Sequence, residues 1–152
     1  MNIFILDKDH VKNAEYHNDK HVVKMILEYA QLLSGAVRIS GIDSGYKLTH
    51  QNHPCAIWAR ESLSNWMWLK SLSKALNQEY KFRYNKQINH KSYDKIESLP
   101  IPNIKDIGLT EFRLAMPNDV KVSDAVLSYR NYYRNYKQHI ATWKNRNKPD
   151  WL

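Results

Sequence analysis

The 152-residue chain carries a formal net charge of +8 and is 43% hydrophobic and 12% aromatic. A chain of this length buries roughly 68–70% of the surface that its unfolded form exposes, and with only 4 Gly and 5 Pro its composition excludes disordered, fibrous and disulfide-dependent small-scaffold classes. The positive charge favours polyanionic partners, namely nucleic acid, nucleotides or an anionic membrane surface.

The first predicted elements lie before residue 40. Residues 2–6, of which Ile3 to Leu6 are apolar, fit either a short strand or buried extended chain, and Asp7 or Asp9 could cap a short helix after them. The clearest helical pattern runs from Asp19 to about Ile39. The sequence therefore predicts one long helix early in the chain.

A second long helix is predicted to begin at Pro54, because proline is tolerated at the first position of a helix. Its apolar residues recur at mixed three- and four-residue steps, with one five-residue step, and indicate that it continues to about Phe82. Residues 85–122 contain three prolines, which predicts a connector with one short helix started by Thr110.

Ser123 is predicted to cap a third helix that ends at about His139, ahead of an irregular basic tail. The predicted fold is therefore mainly α, a single compact domain of three principal helices with long loops and a basic aromatic C-terminal tail. Cys55 is the only cysteine, a usage that fits a reducing cytoplasm. No stretch reaches the roughly 18 apolar residues of a membrane span, so we expect a cytoplasmic protein without a membrane partner.

The polar side chains of the 19–39 helix gather in one narrow stripe that contains His21, Lys24 and Glu28. Apolar residues fill the remaining arc, so this helix is expected to be buried on most sides. One interpretation is a solvated seam in which Lys24 and Glu28 form an i,i+4 ion pair. The other is a site in which Glu28 acts as general acid, base or electrostatic stabiliser while His21 and Lys24 bind a phosphate.

Two pairs of histidines allow a metal site as one hypothesis. Its ligands would be His17, His21, His50 and His53, with Asp7 or Asp9. The HxxxH spacing is weakly specific, and we expect no metal or other cofactor. For His50 and His53 there are two alternatives to metal binding. They could serve the turn ahead of Pro54 and cap the helix that follows, or they could join Asn52 and Arg60 in a phosphate site near the N-terminus of that helix.

Residues 121–152, the C-terminal block, hold 7 Lys and Arg against 2 Asp and Glu, so about a fifth of the chain carries most of its net charge of +8. Within it, the segment YRNYYRNYK interleaves tyrosines with Arg130, Arg134 and Lys137. Such a pattern can neutralise a nucleic-acid backbone and stack on its bases. The alternative is a helix with a tyrosine-rich packing face and a basic outer face.

The pattern D-x-H-x6-E, formed by Asp19, His21 and Glu28, resembles that of the phage-type pyrimidine-dimer DNA glycosylases, which are small α-helical base-excision enzymes. Further similarities are the GAVR segment that ends at Arg38, a loop histidine before an aromatic-rich helix, and the aromatic basic tail. The resemblance implies that Glu28 is catalytic and that His21 and Arg38 contact the damaged duplex.

The same resemblance implies that an N-terminal α-amine attacks the sugar C1′. In that family the amine belongs to a threonine exposed by removal of methionine. Here the second residue is Asn2, before which methionine is usually retained, so the amine would be that of Met1. The chain is also similar to small phage and bacterial proteins with DKHVVKM and NHPC segments, a likeness that implies no activity.

Four functions follow as hypotheses. A DNA N-glycosylase, with or without AP-lyase activity, is favoured, with duplex DNA as its partner. The alternatives are a phage counter-defence protein that binds or cleaves a small nucleotide, a metal-dependent phosphoesterase or nuclease, and a non-enzymatic nucleic-acid-binding protein. If a phage encodes the chain, the expected location is the cytoplasm of a bacterial host.

Overall fold

The helical pattern of residues 19–39 produces the central helix of the fold, α2 (Asp19–Ile39), which Asn18 caps by accepting a hydrogen bond from the backbone N–H of His21. The computed structural model describes all 152 residues. The other helices are α1 (His10–Tyr16), α3 (Pro54–Glu61), α4 (Leu63–Arg83), α5 (Lys91–Glu97) and α6 (Ala125–Tyr136). Short 3-10 turns cover Asn118–Val120 and Gln138–Ile140, and the absence of any strand confirms the predicted mainly α class.

The helices share one hydrophobic core. A cluster of 28 buried residues takes members from all six helices, with α2 packed against α3, α4 and α5, and α1 packed against α4. Trp66 is fully buried and donates its indole N–H to the carbonyl of Leu33 at 3.1 Å, which ties α4 to α2. The wide apolar arc of α2 is thus buried on several sides, as its sequence pattern predicts.

The N-terminal segment is extended chain rather than a strand. Its backbone donors pair with side chains instead of a neighbouring strand: Phe4 N–H donates to Tyr29 Oη at 3.2 Å, and Leu6 N–H donates to Asn13 Oδ1 at 3.0 Å. These partners allow the apolar residues 3–6 to be buried without a sheet. Asp9, rather than Asp7, then caps α1.

The predicted single helix from Pro54 to Phe82 is wrong, because the chain breaks at Ser62 into α3 and α4. Ser62 is extended, with φ −153° and ψ 145°. Its hydroxyl donates to Asp106 Oδ1 at 3.1 Å and accepts from the Ile107 N–H at 3.0 Å. The connector therefore docks against the junction and replaces helical hydrogen bonds there.

Two further predictions of helix bounds are corrected. Thr110 starts no helix, because its hydroxyl and N–H are used against Glu61 and Asn65, and the short helix of the connector is α5, capped by His90. The last helix is capped by Asp124 instead of Ser123 and ends at Tyr136. A 3-10 turn over Gln138–Ile140 accounts for the helix-like pattern that predicted its end at His139.

Candidate functional site

Glu28 lies on the polar stripe of α2, and the N-terminal amine lies beside it. The α-amino nitrogen of Met1 is 3.2 Å from Glu28 Oε1, and Lys24 Nζ is 3.8 Å from Oε2. The Glu28 side chain is 15% exposed, whereas that of Lys24 is 71% exposed. The structure thus joins a potential nucleophile, a poorly solvated carboxylate and an exposed cation.

Asn2 holds the first residue of the chain in this position. Its Nδ2 donates to the carbonyl of Ala115 at 2.8 Å, and its Oδ1 accepts from the Ile3 N–H at 2.9 Å and from Tyr129 Oη at 3.1 Å. These contacts tie the N-terminus to the connector and to α6. Because the residue adjacent to Met1 is fixed on several sides, the amine is held toward Glu28 by the fold.

A cavity of about 310 Å³ opens at this pair. Its charged and imidazole lining groups are Met1, His21, Lys24, Glu28, His53 and Lys137. Its aromatic walls are Phe4 and Tyr132, whose rings lie 19° from parallel with their centroids 6.1 Å apart. Glu28 is the only carboxylate in the lining, so the cavity is electropositive and suited to an anionic ligand with a planar group.

The structure buries His17 and His21 between the N-terminal segment and α6. His17 Nε2 is 2.9 Å from Tyr29 Oη, and His21 Nδ1 is 2.6 Å from Tyr133 Oη. Burial lowers the pKa of His17 to about 4 and that of His21 to about 2, from an ordinary value of 6.5. His21 therefore faces the cavity as a neutral ring, without the positive charge that the predicted phosphate contact would use.

His53 lines the cavity as well as capping α3. Its Nδ1 accepts the backbone N–H of Cys55 at 3.0 Å. Burial lowers its pKa, and the nearby N-terminal ammonium group and His50 lower it further. His53 therefore caps α3, as the sequence allowed, and also lines the cavity.

The other residues of the predicted phosphate site lie outside the cavity. His50 and Asn52 are exposed, and the Nδ1 of His50 bonds to the neighbouring Thr49 hydroxyl at 2.8 Å. Arg60 donates to the carbonyl of Gln51 at 2.6 Å and so closes the loop before α3. These three side chains are not brought together with Glu28.

Arg38, which the resemblance assigns to duplex binding, holds a loop instead. Its guanidinium donates to Asp43 Oδ1 at 2.6 Å and to the carbonyls of Tyr46 and Gly45 at 2.7 Å each. All these partners lie in the loop that follows α2. In this structure the guanidinium is therefore part of the loop rather than of the cavity.

The two arginines of α6 are also engaged within the chain. Arg130 donates to the carbonyl of Leu6 at 2.9 Å and to Asp7 Oδ2 at 3.2 Å. Arg134 donates to the carbonyl of Trp151 at 2.5 Å, and both guanidinium groups lie within 6 Å of the Trp151 ring. Of the basic residues predicted in the segment YRNYYRNYK, Lys137 alone lines the cavity.

The histidines do not assemble a metal site. No group of three or more His, Cys, Asp or Glu side chains in the structure is placed to hold a metal ion. His17 is enclosed by Asn13 and Tyr29, and His50 lies on an exposed loop. The ligand set of the metal hypothesis is thus spread over separate parts of the fold.

A larger groove of about 580 Å³ lies between α1 and residues 145–150. Its lining mixes charges of both signs, and two of its residues, Glu15 and Arg146, face each other at 3.9 Å. Arg146 also donates to the Glu79 carboxylate at 2.7 Å. No lysine amine of this groove lies within ion-pair distance of a carboxylate, whereas the Met1 amine lies 3.2 Å from Glu28, so we assign the candidate site to the smaller cavity.

Sequence reasoning did not place Asn2 or Phe4 at the site, and it named Tyr132 and Tyr133 only as members of the aromatic basic segment. The tyrosines belong to the segment YRNYYRNYK, whose pattern indicated function without separating the buried tyrosines from those at the cavity. Asn2 carried no signal beyond its position next to the amine. Its role depends on contacts with Ala115 and Tyr129, which are remote in the sequence.

No protein-family model matches the chain, and the searches found no similar curated protein or solved structure. No helix is both long and apolar enough to cross a membrane.

Proposed function

We propose that the protein is a DNA N-glycosylase with associated lyase activity, acting on a damaged or modified base. The observation that carries the proposal is the 3.2 Å contact between the Met1 α-amine and Glu28 at an electropositive cavity with aromatic walls. An amine next to a poorly solvated carboxylate is the pairing that Schiff-base chemistry at a sugar carbon requires.

In the proposed reaction Glu28 takes a proton from the Met1 ammonium group, and the free amine attacks C1′ of the nucleotide. A C1′–N bond to the enzyme forms while the bond to the base breaks, and the base leaves with that electron pair and takes a proton. Opening of the sugar ring, with protonation of O4′ and loss of the second amine proton, gives a Schiff base. Removal of a C2′ proton then expels the 3′ phosphate, which is the lyase step.

The surroundings of the pair support a nucleic-acid substrate. The exposed ammonium of Lys24 and that of Lys137 can neutralise phosphates on either side of the reacting nucleotide. Phe4 and Tyr132 offer ring surfaces for a base extruded from the duplex. The cavity lies near the lower end of the roughly 300–1,000 Å³ typical of small-molecule sites, a size that suits one nucleotide unit.

The decisive experiment is borohydride trapping on a duplex with one abasic site, combined with base release from duplexes that carry different lesions. Wild type is expected to form a covalent adduct that peptide mapping assigns to the Met1 nitrogen. Glu28→Gln should lower trapping and release by about 10²–10⁴-fold, the range for loss of a general acid–base group. Glu111→Gln is the matched control, because Glu111 is an exposed carboxylate away from the cavity.

Intact-mass measurement of the purified chain establishes that Met1 bears a free amine before the assay. An adduct on Lys24 instead of Met1 would contradict the assigned nucleophile. Absence of both trapping and base release on every duplex would contradict the proposed function itself, provided that the wild-type chain shows a cooperative thermal transition.

A second candidate function is binding or cleavage of a small nucleotide in the same cavity. The specific observation in its favour is that Arg38, Arg130 and Arg134, the arginines that the sequence assigned to nucleic-acid binding, are engaged within the chain and so are not free to contact a long duplex. Salt dependence separates the candidates. Duplex binding should weaken steeply with salt, by a logarithmic slope of about 0.9 for each phosphate contacted, whereas a one-nucleotide ligand should respond weakly.

A further inference from the structure

His21 presents an unused hydrogen-bonding nitrogen to the cavity. The residue is 6% exposed and lines the cavity wall. Its Nδ1 is paired with Tyr133 Oη at 2.6 Å, but its Nε2 has no partner within the chain and keeps access to solvent. A buried ring with one free polar atom toward an open cavity is placed to bind something that enters it.

Tyr133 determines which nitrogen of His21 carries the proton. The Tyr133 hydroxyl accepts the backbone N–H of Asn18 at 3.3 Å, and His21 Nδ1 is the one acceptor within reach of the phenolic proton. The phenol therefore donates to Nδ1, and the ring proton of the neutral histidine resides on Nε2. Phe4 stacks on the imidazole at 4.2 Å and 25°, which fixes the direction of the Nε2–H group.

At the α3 end of the cavity, a hydrogen bond also fixes the position of the ring proton of His53. Because its Nδ1 accepts the Cys55 N–H, its ring proton also resides on Nε2. The ammonium groups of Lys24 and Lys137 can only donate. Among the charged and imidazole side chains of the lining, the carboxylate of Glu28 is thus the one acceptor. The other charged and imidazole side chains are donors, so a ligand must supply hydrogen-bond acceptors for them.

Building on the proposed glycosylase function, we propose that the cavity selects an extruded base by the carbonyl oxygen at C4 of a pyrimidine or C6 of a purine, and that His21 Nε2–H donates a hydrogen bond to that oxygen as the base leaves. The substrate class is then a keto base of the uracil, thymine or hypoxanthine type, in preference to an amino base of the cytosine or adenine type. His21 is a catalytic residue in this scheme, and Tyr133 is a positioning residue.

The chemistry of the departing base explains why a donor at this position accelerates the reaction. When the bond from C1′ to the base breaks, its electron pair stays with the base, and the negative charge spreads to the carbonyl oxygens. A donor fixed in advance stabilises that charge more in the transition state than in the ground state. His21 and Glu28 are two turns apart on α2, roughly 10 Å along its axis, so the sugar and the far edge of the base can be contacted together.

The neutral state of His21 suits this role. Burial and the positive charges of Lys137 and Lys24 hold its pKa far below neutral, with His17 acting in the same direction. The ring therefore donates a hydrogen bond without adding a further positive charge to the ammonium groups of Met1, Lys24 and Lys137. Neutral donors of this kind have large effects in water-poor sites, where removal of one costs about 10²–10³-fold in rate.

The test measures single-turnover base release from matched duplexes that differ by one base, uracil against cytosine and hypoxanthine against adenine. Wild type should release the keto base at least tenfold faster in each pair. His21→Phe, which keeps the ring and removes the donor, should lower release at least tenfold more than it lowers borohydride trapping on the abasic duplex, where no base has to leave. His21→Gln, which restores an N–H donor, should recover part of the loss.

Tyr133→Phe provides the readout for the positioning role. In wild type, ¹⁵N spectra of His21 at pH 7 should report the Nε2–H tautomer, and in Tyr133→Phe they should report a mixture of tautomers with slower release. Failure of wild type both to trap abasic DNA and to release any base overturns the proposed function. If wild type traps abasic DNA normally, two results overturn this inference alone: equal release of keto and amino bases, or no release of either. Equal losses of release and trapping in His21→Phe overturn it as well.

Discussion

The cavity wall on α2 and the outer face of α6 both carry basic side chains, but the two regions use them differently. On α6, Arg130 and Arg134 donate to backbone carbonyls and lie over the ring of Trp151. On α2, Lys24 is 71% exposed, and its one ion pair is the 3.8 Å contact with Glu28. The arginines of α6 hold the fold together, whereas the cations at the cavity are free to meet a ligand.

This difference matters because a guanidinium that already has several partners must give them up to bind a phosphate. Positive charge is therefore a guide to the binding surface only where the side chain has no internal partner. The C-terminal block holds most of the net positive charge of the chain. Even so, its contribution to the proposed site reduces to Tyr132, Tyr133 and Lys137.

The largest expected effect comes from the network that joins the two regions. Arg83 is fully buried and donates to Glu79 at 2.7 Å and to the carbonyl of His17 at 2.6 Å, next to the start of α2. Arg146 of the C-terminal block shares the same Glu79 carboxylate. Arg83→Leu should lower the free energy of unfolding by about 3–5 kcal/mol, because it leaves a buried carboxylate short of its partner.

Urea unfolding followed by tryptophan fluorescence measures this loss. Lys74→Leu is the matched control, since Lys74 is an exposed cation on the same helix, and it should change stability by no more than about 0.5 kcal/mol. If the two variants unfolded at the same urea concentration, the network would not be the link between the cavity wall and the C-terminal block.

The sequence predicted the parts of the site that depend on local periodicity. The stripe of His21, Lys24 and Glu28 follows from a repeat of 3.6 residues along one helix, and α2 has the predicted bounds. The five-residue step between Trp58 and Leu63 coincides with the break at Ser62, so a signal for that break was present in the pattern. The break itself depends on contact with Asp106, which no local pattern reveals.

Long-range partners account for the predictions that failed or were missed. Arg38 fits a phosphate-binding residue by type and position, but the loop that it holds was not predictable from spacing. The contact of Asn2 with Ala115 spans 113 positions of the sequence. The proximity of Met1 to Glu28 was anticipated only through the resemblance to glycosylases, because composition and periodicity give no distance between an N-terminus and a helix.

The second-largest expected effect comes from two buried neutral histidines, His21 in the cavity wall and His17 beside it. Burial, with the nearby Arg83 as a minor contribution, lowers the pKa of His17 to about 4, and burial with His17, Lys137 and Lys24 lowers that of His21 to about 2. The unfolded chain therefore binds protons below pH 6.5 that the folded chain does not, so the free energy of unfolding must fall as the pH falls.

Each of these histidines should contribute a loss of about 2 kcal/mol between pH 6.5 and pH 5. Urea unfolding at pH 7.5, 6.5 and 5 measures the loss in wild type and in His21→Gln. The variant should lose about 2 kcal/mol less than wild type over this interval, and the difference between the two should change by only about 0.4 kcal/mol between pH 7.5 and 6.5. Parallel losses down to pH 5 would mean that His21 is not buried as a neutral ring.

The smallest expected effect compares the two basic regions directly on DNA. Lys137 lines the cavity, with its ammonium group 4.9 Å from the Tyr132 ring centre. Arg134 instead donates hydrogen bonds to the carbonyl of Trp151 and to Oδ1 of Asn131. With an abasic duplex as ligand, Lys137→Met should reduce the logarithmic salt slope of binding by about 0.9, the value of one phosphate contact. Arg134→Met should leave that slope unchanged and instead lower the free energy of unfolding by about 1–2 kcal/mol, because it removes internal hydrogen bonds. A binding cation should change the salt slope, whereas a structural cation should change the stability. A reduced slope in Arg134→Met with an unchanged slope in Lys137→Met would therefore reverse the roles assigned to the two regions.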